Sequence, residues 1–160
     1  MGRIKMIKEK VKKNKGFVIL FAVMISSIIL AITLAVANIA LKEIKFGTSA
    51  KDTNDAFFAA DAGAECVLFN DKSSSNSFKQ EGGSGTVECF GGTFILNGAY
   101  PLWSFVLSGL GSEVKSCAKV TVDKSALTTI VSKGYNDGGN IVGSCIQGPN
   151  SVERQLEISY

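Results

Sequence analysis

The stretch that decides the fold is FVILFAVMISSIILAITLAVANIAL, residues 17–41, which contains 25 positions and no charged side chain. As a helix it would rise about 1.5 Å per residue and reach roughly 37 Å. A hydrocarbon core is about 30 Å thick, so the run can cross it with some tilt. The hydroxyls of Ser26, Ser27 and Thr33 fit such a helix, because they can bond to carbonyls one turn earlier. The sequence therefore predicts a transmembrane helix over 17–41.

A strongly basic leader precedes this run. Residues 1–16 carry seven Lys or Arg side chains and one Glu, a charge of +6, whereas the rest of the chain carries −3. These charges are costly to bury in lipid, so the leader is expected to stay on the cytoplasmic side and to orient the helix. Because the positive excess lies in this one segment, the formal net charge of +3 does not indicate nucleic-acid binding by the folded part.

The segment after the apolar run is predicted to stay helical but to become amphipathic. Lys42 is the first charge after the run, and residues 42–70 place apolar side chains at helical spacing, namely Phe57, Ala60, Ala64, Val67 and Leu68. A folded domain must pack on that stripe. We therefore predict one helix from about 17 to 70, on the order of 80 Å long, with a Ser/Gly-rich loop at 71–84 ending it.

Residues 85–160 show the alternation typical of short β-strands. The clearest run is 116–123, where Ala118, Val120 and Val122 alternate with polar residues. Further candidate strands are Thr86–Phe90, Thr93–Leu96, Phe105–Leu107, Thr128–Lys133 and Val152–Tyr160. One apolar and one polar face indicate a small antiparallel sheet packed on the helix. The predicted fold class is therefore α+β.

Four cysteines, Cys66, Cys89, Cys117 and Cys145, lack the close pairs that zinc ligands usually form. An even number of separated cysteines in a chain with a translocation signal favours disulfides. Cys66 lies near the end of the helix, and Cys89 lies in the first strand after the loop. Cys117 begins the central strand, and the 136–150 loop that carries Cys145 leaves from the same end of the sheet. We therefore predict Cys66–Cys89 and Cys117–Cys145, each contributing about 3–4 kcal/mol in the chain-entropy model.

The sequence offers little catalytic chemistry. It has no histidine, which excludes Ser-His and Cys-His nucleophile systems. Asp61 and Glu65 lie one helical turn apart, but such pairs usually belong to a solvated helix face. Asn136–Asn140 is a Gly-rich loop with oxygen ligands, yet it lacks the acidic spacing of a calcium loop and suits an ordinary turn. We therefore expect no enzyme, no metal and no cofactor.

The N-terminal features together resemble the type IV pilins and the pseudopilins of type II secretion. The basic leader ends in Gly16, the hydrophobic Phe17 follows, and a long helix leads into an antiparallel sheet. The segment Ala56-Phe57-Phe58-Ala59-Ala60-Asp61-Ala62 also resembles the Ala-Phe-x-Ala-Ala-acidic-Ala pattern of PilX-type minor pilins. The resemblance covers the first 70 residues well, and the rest only as architecture.

That resemblance implies processing and assembly. In this family a prepilin peptidase cuts after the glycine, here Gly16, and methylates the new N-terminus, here Phe17. The subunit is anchored in the cytoplasmic membrane with its N-terminus inside, and its helix later enters the core of a cell-surface filament made with other pilin subunits. Typical major subunits have glutamate at the fifth residue after the cut, where this chain has Phe21. The resemblance therefore favours a minor or tip subunit.

Two other fates stay open. Ala35-Val36-Ala37 is similar to a signal-peptidase site, although the apolar run is longer than the usual signal core of about 7–15 residues. Cleavage there would release a secreted, disulfide-bonded domain beginning at Asn38. Without any cleavage, the chain would be a bitopic membrane protein with an external binding domain. In each case the loops 71–84 and 136–150 are where a partner contact is expected.

Overall fold

The computed structural model describes residues 15–73, 77–80, 85–111, 113–138, 141 and 143–160. Residues 1–14 of the predicted leader, and parts of the 71–84 and 136–150 loops, lie outside these ranges. The described residues form one helix, α1 (Lys15–Lys72), followed by antiparallel strands. The prediction of an α+β fold with a long apolar N-terminal helix is therefore confirmed. The chain divides between Phe46 and Gly47 into two compact units.

The first unit is the apolar part of α1. Every described residue from Phe17 to Phe46 is exposed, including all the large aliphatic and aromatic side chains. The hydroxyls of Ser26, Ser27 and Thr33 donate to the carbonyls three residues earlier, at 2.8–3.0 Å. These three hydroxyls thus find their hydrogen-bond acceptors within the helix, as they would need to in lipid.

The second unit contains the rest of α1 and two antiparallel sheets. A two-stranded sheet pairs β1 with β2, and a five-stranded sheet has the order β3-β4-β5-β6-β7. Each strand of the larger sheet therefore pairs with its neighbours in the chain, as a meander. The strands are β1 (Thr86–Cys89), β2 (Gly92–Ile95), β3 (Asn97–Ala99), β4 (Leu102–Leu110), β5 (Ser116–Asp123), β6 (Thr129–Tyr135) and β7 (Glu153–Ser159).

The core lies between α1 and one face of the five-stranded sheet. On β5, Ala118, Val120 and Val122 are buried whereas Lys119 is exposed, as the alternation predicted. Trp103, Phe105 and Leu107 of β4 and Ile130 of β6 complete that face, and Phe78 after the helix packs edge-on against Trp103.

The buried face of α1 differs from the predicted stripe. Ala60, Ala64 and Val67 are buried as expected, but Phe57 is 44% exposed and Leu68 only partly buried. The contact is made instead by small residues, namely Ala56, Ala59, Ala60, Gly63 and Ala64. Here the backbones of helix and sheet lie too close together for a phenylalanine ring.

Two strands also differ from prediction. β3 was not predicted, because Asn97, Gly98 and Ala99 lack the β-branched or aromatic side chains that mark a strand. β4 is longer than the predicted Phe105–Leu107 at both ends. It begins at Leu102, and it continues through Ser108 and Gly109 by way of a register shift. A bulge of this kind leaves no apolar alternation in the sequence.

Candidate functional site

The predicted processing site lies at the start of α1. The helix begins at Lys15, so Gly16 and Phe17 fall in its first turn. Phe17 is 73% exposed, and Phe21, one turn later, is also exposed. The first turn of α1 contains no acidic residue. By length and composition, the helix that follows is able to cross a membrane.

The second half of α1 meets the sheet through two glycines. A Cβ added at Gly63 would overlap the Ser132 hydroxyl and the Val120 side chain. A Cβ added at Gly134, on β6, would overlap the backbone of α1 at Ala56 and Ala60. Glycine in a strand often marks such a close backbone approach. The Oγ of Ser132 is fully buried here and has no hydrogen-bond partner among the described residues.

The Ala-rich motif at 56–62 therefore has two faces. Ala56, Ala59 and Ala60 are buried against the sheet, whereas Phe57 and Phe58 are exposed and meet edge-on at 6.1 Å. Phe69, eleven residues after Phe58 and so on nearly the same side of the helix, is 72% exposed. This exposed side borders a groove of about 250 Å³ next to Phe90. The motif thus supplies small residues to the core and aromatic rings to solvent.

The first cysteine pair joins the end of α1 to the hairpin. Cys66 and Cys89 are bonded, with their Cα atoms 5.6 Å apart. Beside them, the buried amide of Asn70 donates to the carbonyls of Cys66 and Glu88, both at 2.9 Å. One disulfide and one bridging amide therefore hold β1 on the helix.

The second cysteine pair holds the 136–150 loop on the sheet. Cys117 and Cys145 are bonded, with their Cα atoms 5.7 Å apart. Gly138 lies so close that a Cβ there would overlap the Cys117 sulfur, and its N–H donates to the Lys115 carbonyl at 2.8 Å. Both pairs are the ones proposed from the sequence.

A polar cluster ties the C-terminal end of α1 to the sheet. Lys124, the residue after β5, forms an ion pair with the nearly buried Asp71 and donates to the Phe78 carbonyl. The Tyr160 hydroxyl donates to the other Asp71 oxygen at 2.6 Å, and Lys72 lies 4.1 Å from the centre of the Tyr160 ring. Burial, followed by this hydrogen bond, raises the pKa of Tyr160.

A second polar cluster lies on the outer face of the sheet. The Tyr135 hydroxyl donates to Glu153 at 2.7 Å, and Lys133 lies 3.5 Å from the other Glu153 oxygen. The hydrogen bond from Tyr135 is the main reason why the pKa of Glu153 is lowered. Burial first, and then Glu153, raise the pKa of Tyr135 to about 12.

The remaining sequence candidates are not gathered into a reactive site. Asp61 is partly buried and Glu65 is exposed on the groove beside Phe69. The Asn136 carboxamide oxygen accepts the Val152 N–H at 2.7 Å, so it joins the two ends of the 136–150 loop. Residues 139 and 140 of that loop lie outside the described residues. Within the described ranges, no three Asp, Glu or Cys side chains converge as cation ligands.

Sequence reasoning missed the residues that fasten α1 to the sheet. Asn70, Asp71 and Lys124 carry no motif, since their partners are distant in the chain. Gly134 was the one residue from which the sequence could have indicated the contact between α1 and the sheet. A glycine inside an otherwise regular strand often marks a place where another backbone approaches closely.

Comparison with protein-family models, with curated proteins and with solved structures finds no match to this chain.

Proposed function

We propose that this protein is a structural subunit, minor or at the tip, of a type IV pilus or of a related secretion filament. The observation that carries this proposal is one continuous helix, α1. Its uncharged residues 17–41 are all exposed, and its last part packs on an antiparallel sheet. We accordingly propose that the fold is that of a type IV pilin. Neither a soluble enzyme nor a simple membrane anchor accounts for a helix with one exposed apolar half and one half packed on a sheet.

The exposed apolar half of α1 must be removed from water by a surrounding apolar environment. Its large side chains, from Phe17 to Phe46, are all exposed, and each contributes about 1.5–3 kcal/mol when it is removed from water. A bilayer supplies that environment before assembly. A bundle of the same helices supplies it inside a filament, where the +6 leader would repel its neighbours and must first be removed.

The exposed aromatic side chains in the second half of α1 support the same proposal. Phe57, Phe58 and Phe69 are exposed, and aromatic side chains are enriched at interfaces between proteins. Neighbouring subunits of the filament are the partners proposed for them. The two disulfides suit a domain that faces an oxidising compartment outside the cytoplasm.

Phe21 supports a minor or tip position. A carboxylate in lipid is costly unless it is paired, and at this position of a major subunit it would pair with a neighbouring N-terminal amine. Phe21 is exposed and cannot form that pair. The subunit is therefore proposed to enter the filament by apolar packing alone.

Replacing Gly16 tests the proposal. Gly16→Leu places a bulky side chain at the bond that the prepilin peptidase is proposed to cut, so we expect an unprocessed chain and none of this subunit in surface filaments. Gly2→Leu changes another leader glycine and should be processed normally. Processing and surface assembly of Gly16→Leu at the normal level would contradict the proposal.

A further inference from the structure

The exposed apolar surface of α1 continues beyond the uncharged run. That run ends just before Lys42, and Glu43 and Lys45 follow within the same turn of the helix. Between and after these charges, Ile44 is 65% exposed and Phe46 is 82% exposed. The first compact unit of the chain ends at the same phenylalanine. We call these five consecutive residues the collar, since they follow directly on the apolar part of α1.

The rest of the protein does not cover the collar. Every residue from 42 to 50 is exposed, and the first buried residue described in α1 is Ala56. A single exposed phenylalanine would need no explanation. Phe46, however, extends an exposed apolar surface that begins at Phe17. Whatever environment covers residues 17–41 therefore also reaches the collar.

The two lysines and the phenylalanine of the collar lie on one side of the helix. Positions i, i+3 and i+4 of a helix share a face, and Lys42, Lys45 and Phe46 have this spacing. Each residue turns the helix by about 100°, so Glu43 and Ile44 lie on other sides. One side of the collar thus carries two ammonium groups next to one exposed aromatic ring.

The length of the apolar surface indicates what surrounds the collar. The thirty residues 17–46 extend about 45 Å as a helix, and a bilayer with its headgroup layers is about 40–45 Å thick. If Ile29, the middle of the uncharged run, lies at the bilayer centre, Phe46 lies about 25 Å further along the helix axis. A usual tilt of about 20° shortens that distance, and helical side chains lean towards the N-terminus, here towards the bilayer. The collar therefore lies at the level of the headgroups.

We propose that the collar binds phospholipid headgroups on the side of the bilayer opposite to the leader. The ammonium groups of Lys42 and Lys45 bind lipid phosphates, while their alkyl chains lie along the apolar surface. The ring of Phe46 lies beside them at the boundary between headgroups and acyl chains. The two lysines thus set how deeply α1 enters the bilayer. This inference rests on the part of the proposed function that places residues 17–41 in a bilayer before assembly.

Tryptophan quenching tests the depth of the collar. The full chain is reconstituted in vesicles of mixed phosphatidylcholine and phosphatidylglycerol that carry a nitroxide either on the headgroup or deep in the acyl chain. Phe46→Trp should be quenched mainly by the headgroup nitroxide, and Ile29→Trp mainly by the acyl-chain nitroxide. Both positions are exposed, so the fold should persist. The wild-type chain, whose single tryptophan is Trp103, supplies the background.

Neutralising the lysines tests their part in setting the depth. Adding Lys42→Gln and Lys45→Gln to Phe46→Trp removes the groups that bind phosphate, so the tryptophan should move deeper. The ratio of headgroup to acyl-chain quenching should then fall about twofold or more. Glu43→Gln is the matched control, because it removes a charge from the same helical turn but keeps both lysines. It should leave the tryptophan at the headgroups.

The possible failures can be told apart. If the headgroup nitroxide does not quench Phe46→Trp although Ile29→Trp is quenched from the acyl chains, the collar proposal alone is overturned. An unchanged quenching ratio after loss of both lysines would overturn it as well. If neither nitroxide quenches Ile29→Trp, the membrane insertion on which the proposed function depends is overturned too.

Discussion

At Gly63 the backbone of α1 lies directly against Ser132 and Val120, and at Gly134 the backbone of β6 lies directly against α1. These two positions set the distance between helix and sheet, because neither leaves room for a Cβ. The helix residues around Gly63 that face the sheet, namely Ala56, Ala59, Ala60 and Ala64, are correspondingly small. Phe57 is excluded from that interface and remains exposed.

Gly63→Ala should destabilise the sheet unit by about 1–3 kcal/mol, the usual cost of overpacking a tight core. Gly47→Ala is the matched control in the same helix, because no atom lies within 4 Å of the place that its new methyl group would occupy. Removing a helical glycine there should raise the free energy of unfolding by about 0.5–1 kcal/mol. Urea unfolding followed by the fluorescence of buried Trp103 measures both, and equal shifts would contradict the close-approach account.

Tyr135→Phe should raise the pKa of Glu153 towards its ordinary value of 4.5, because the hydrogen bond from Tyr135 is the main cause of the lowering. A lowered carboxyl pKa stabilises the fold above the ordinary value, and that contribution is lost as the pH falls through the folded-state pKa. The variant should therefore lose less stability on acidification. NMR titration of the Glu153 carboxyl carbon measures the shift, with Tyr100→Phe as control; an unchanged Glu153 pKa would refute the assignment.

At the scale of elements, the sequence predicts a helix or strand best where a single hydrophobic pattern runs through the whole element. The apolar run of α1 and the alternation of β5 can be recognised without knowing any distant partner residue, and the structure contains both elements. β3 could not be predicted from Asn97-Gly98, since it exists because β4 lies beside it. The Asp71–Lys124–Tyr160 cluster was equally inaccessible, because it joins three residues that are distant in the chain.

The second disulfide should contribute strongly to the stability of the sheet unit. It joins residues 28 apart in the sequence, so the Cys117→Ser, Cys145→Ser double variant should lose about 3–4 kcal/mol in the chain-entropy model. Chemical denaturation of the full chain measures this, and the first pair, left intact, serves as the internal reference. Recovery of a Cys66–Cys117 peptide in non-reducing mapping would contradict the pairing itself.

At the scale of the whole molecule, the N-terminal region carried the functional prediction and the sheet did not. Gly16, Phe17 and the uncharged run form a local pattern, so the sequence alone predicts a place for the proposed processing and for membrane insertion. The division of the strands into a two-stranded and a five-stranded sheet depends on contacts between distant residues, which no local pattern encodes. The exposed run from Phe17 to Phe46 is the feature that the proposed filament explains most directly.

The identity of the mature N-terminus tests the filament proposal most directly. Intact and N-terminal mass spectrometry should be carried out on the protein from membranes and from sheared surface filaments. The proposal predicts a chain that begins at N-methylated Phe17, in both fractions. A chain beginning at Asn38 would instead identify a secreted domain, and one that keeps the basic leader of residues 1–16 would identify a bitopic membrane protein; either result would contradict the proposal.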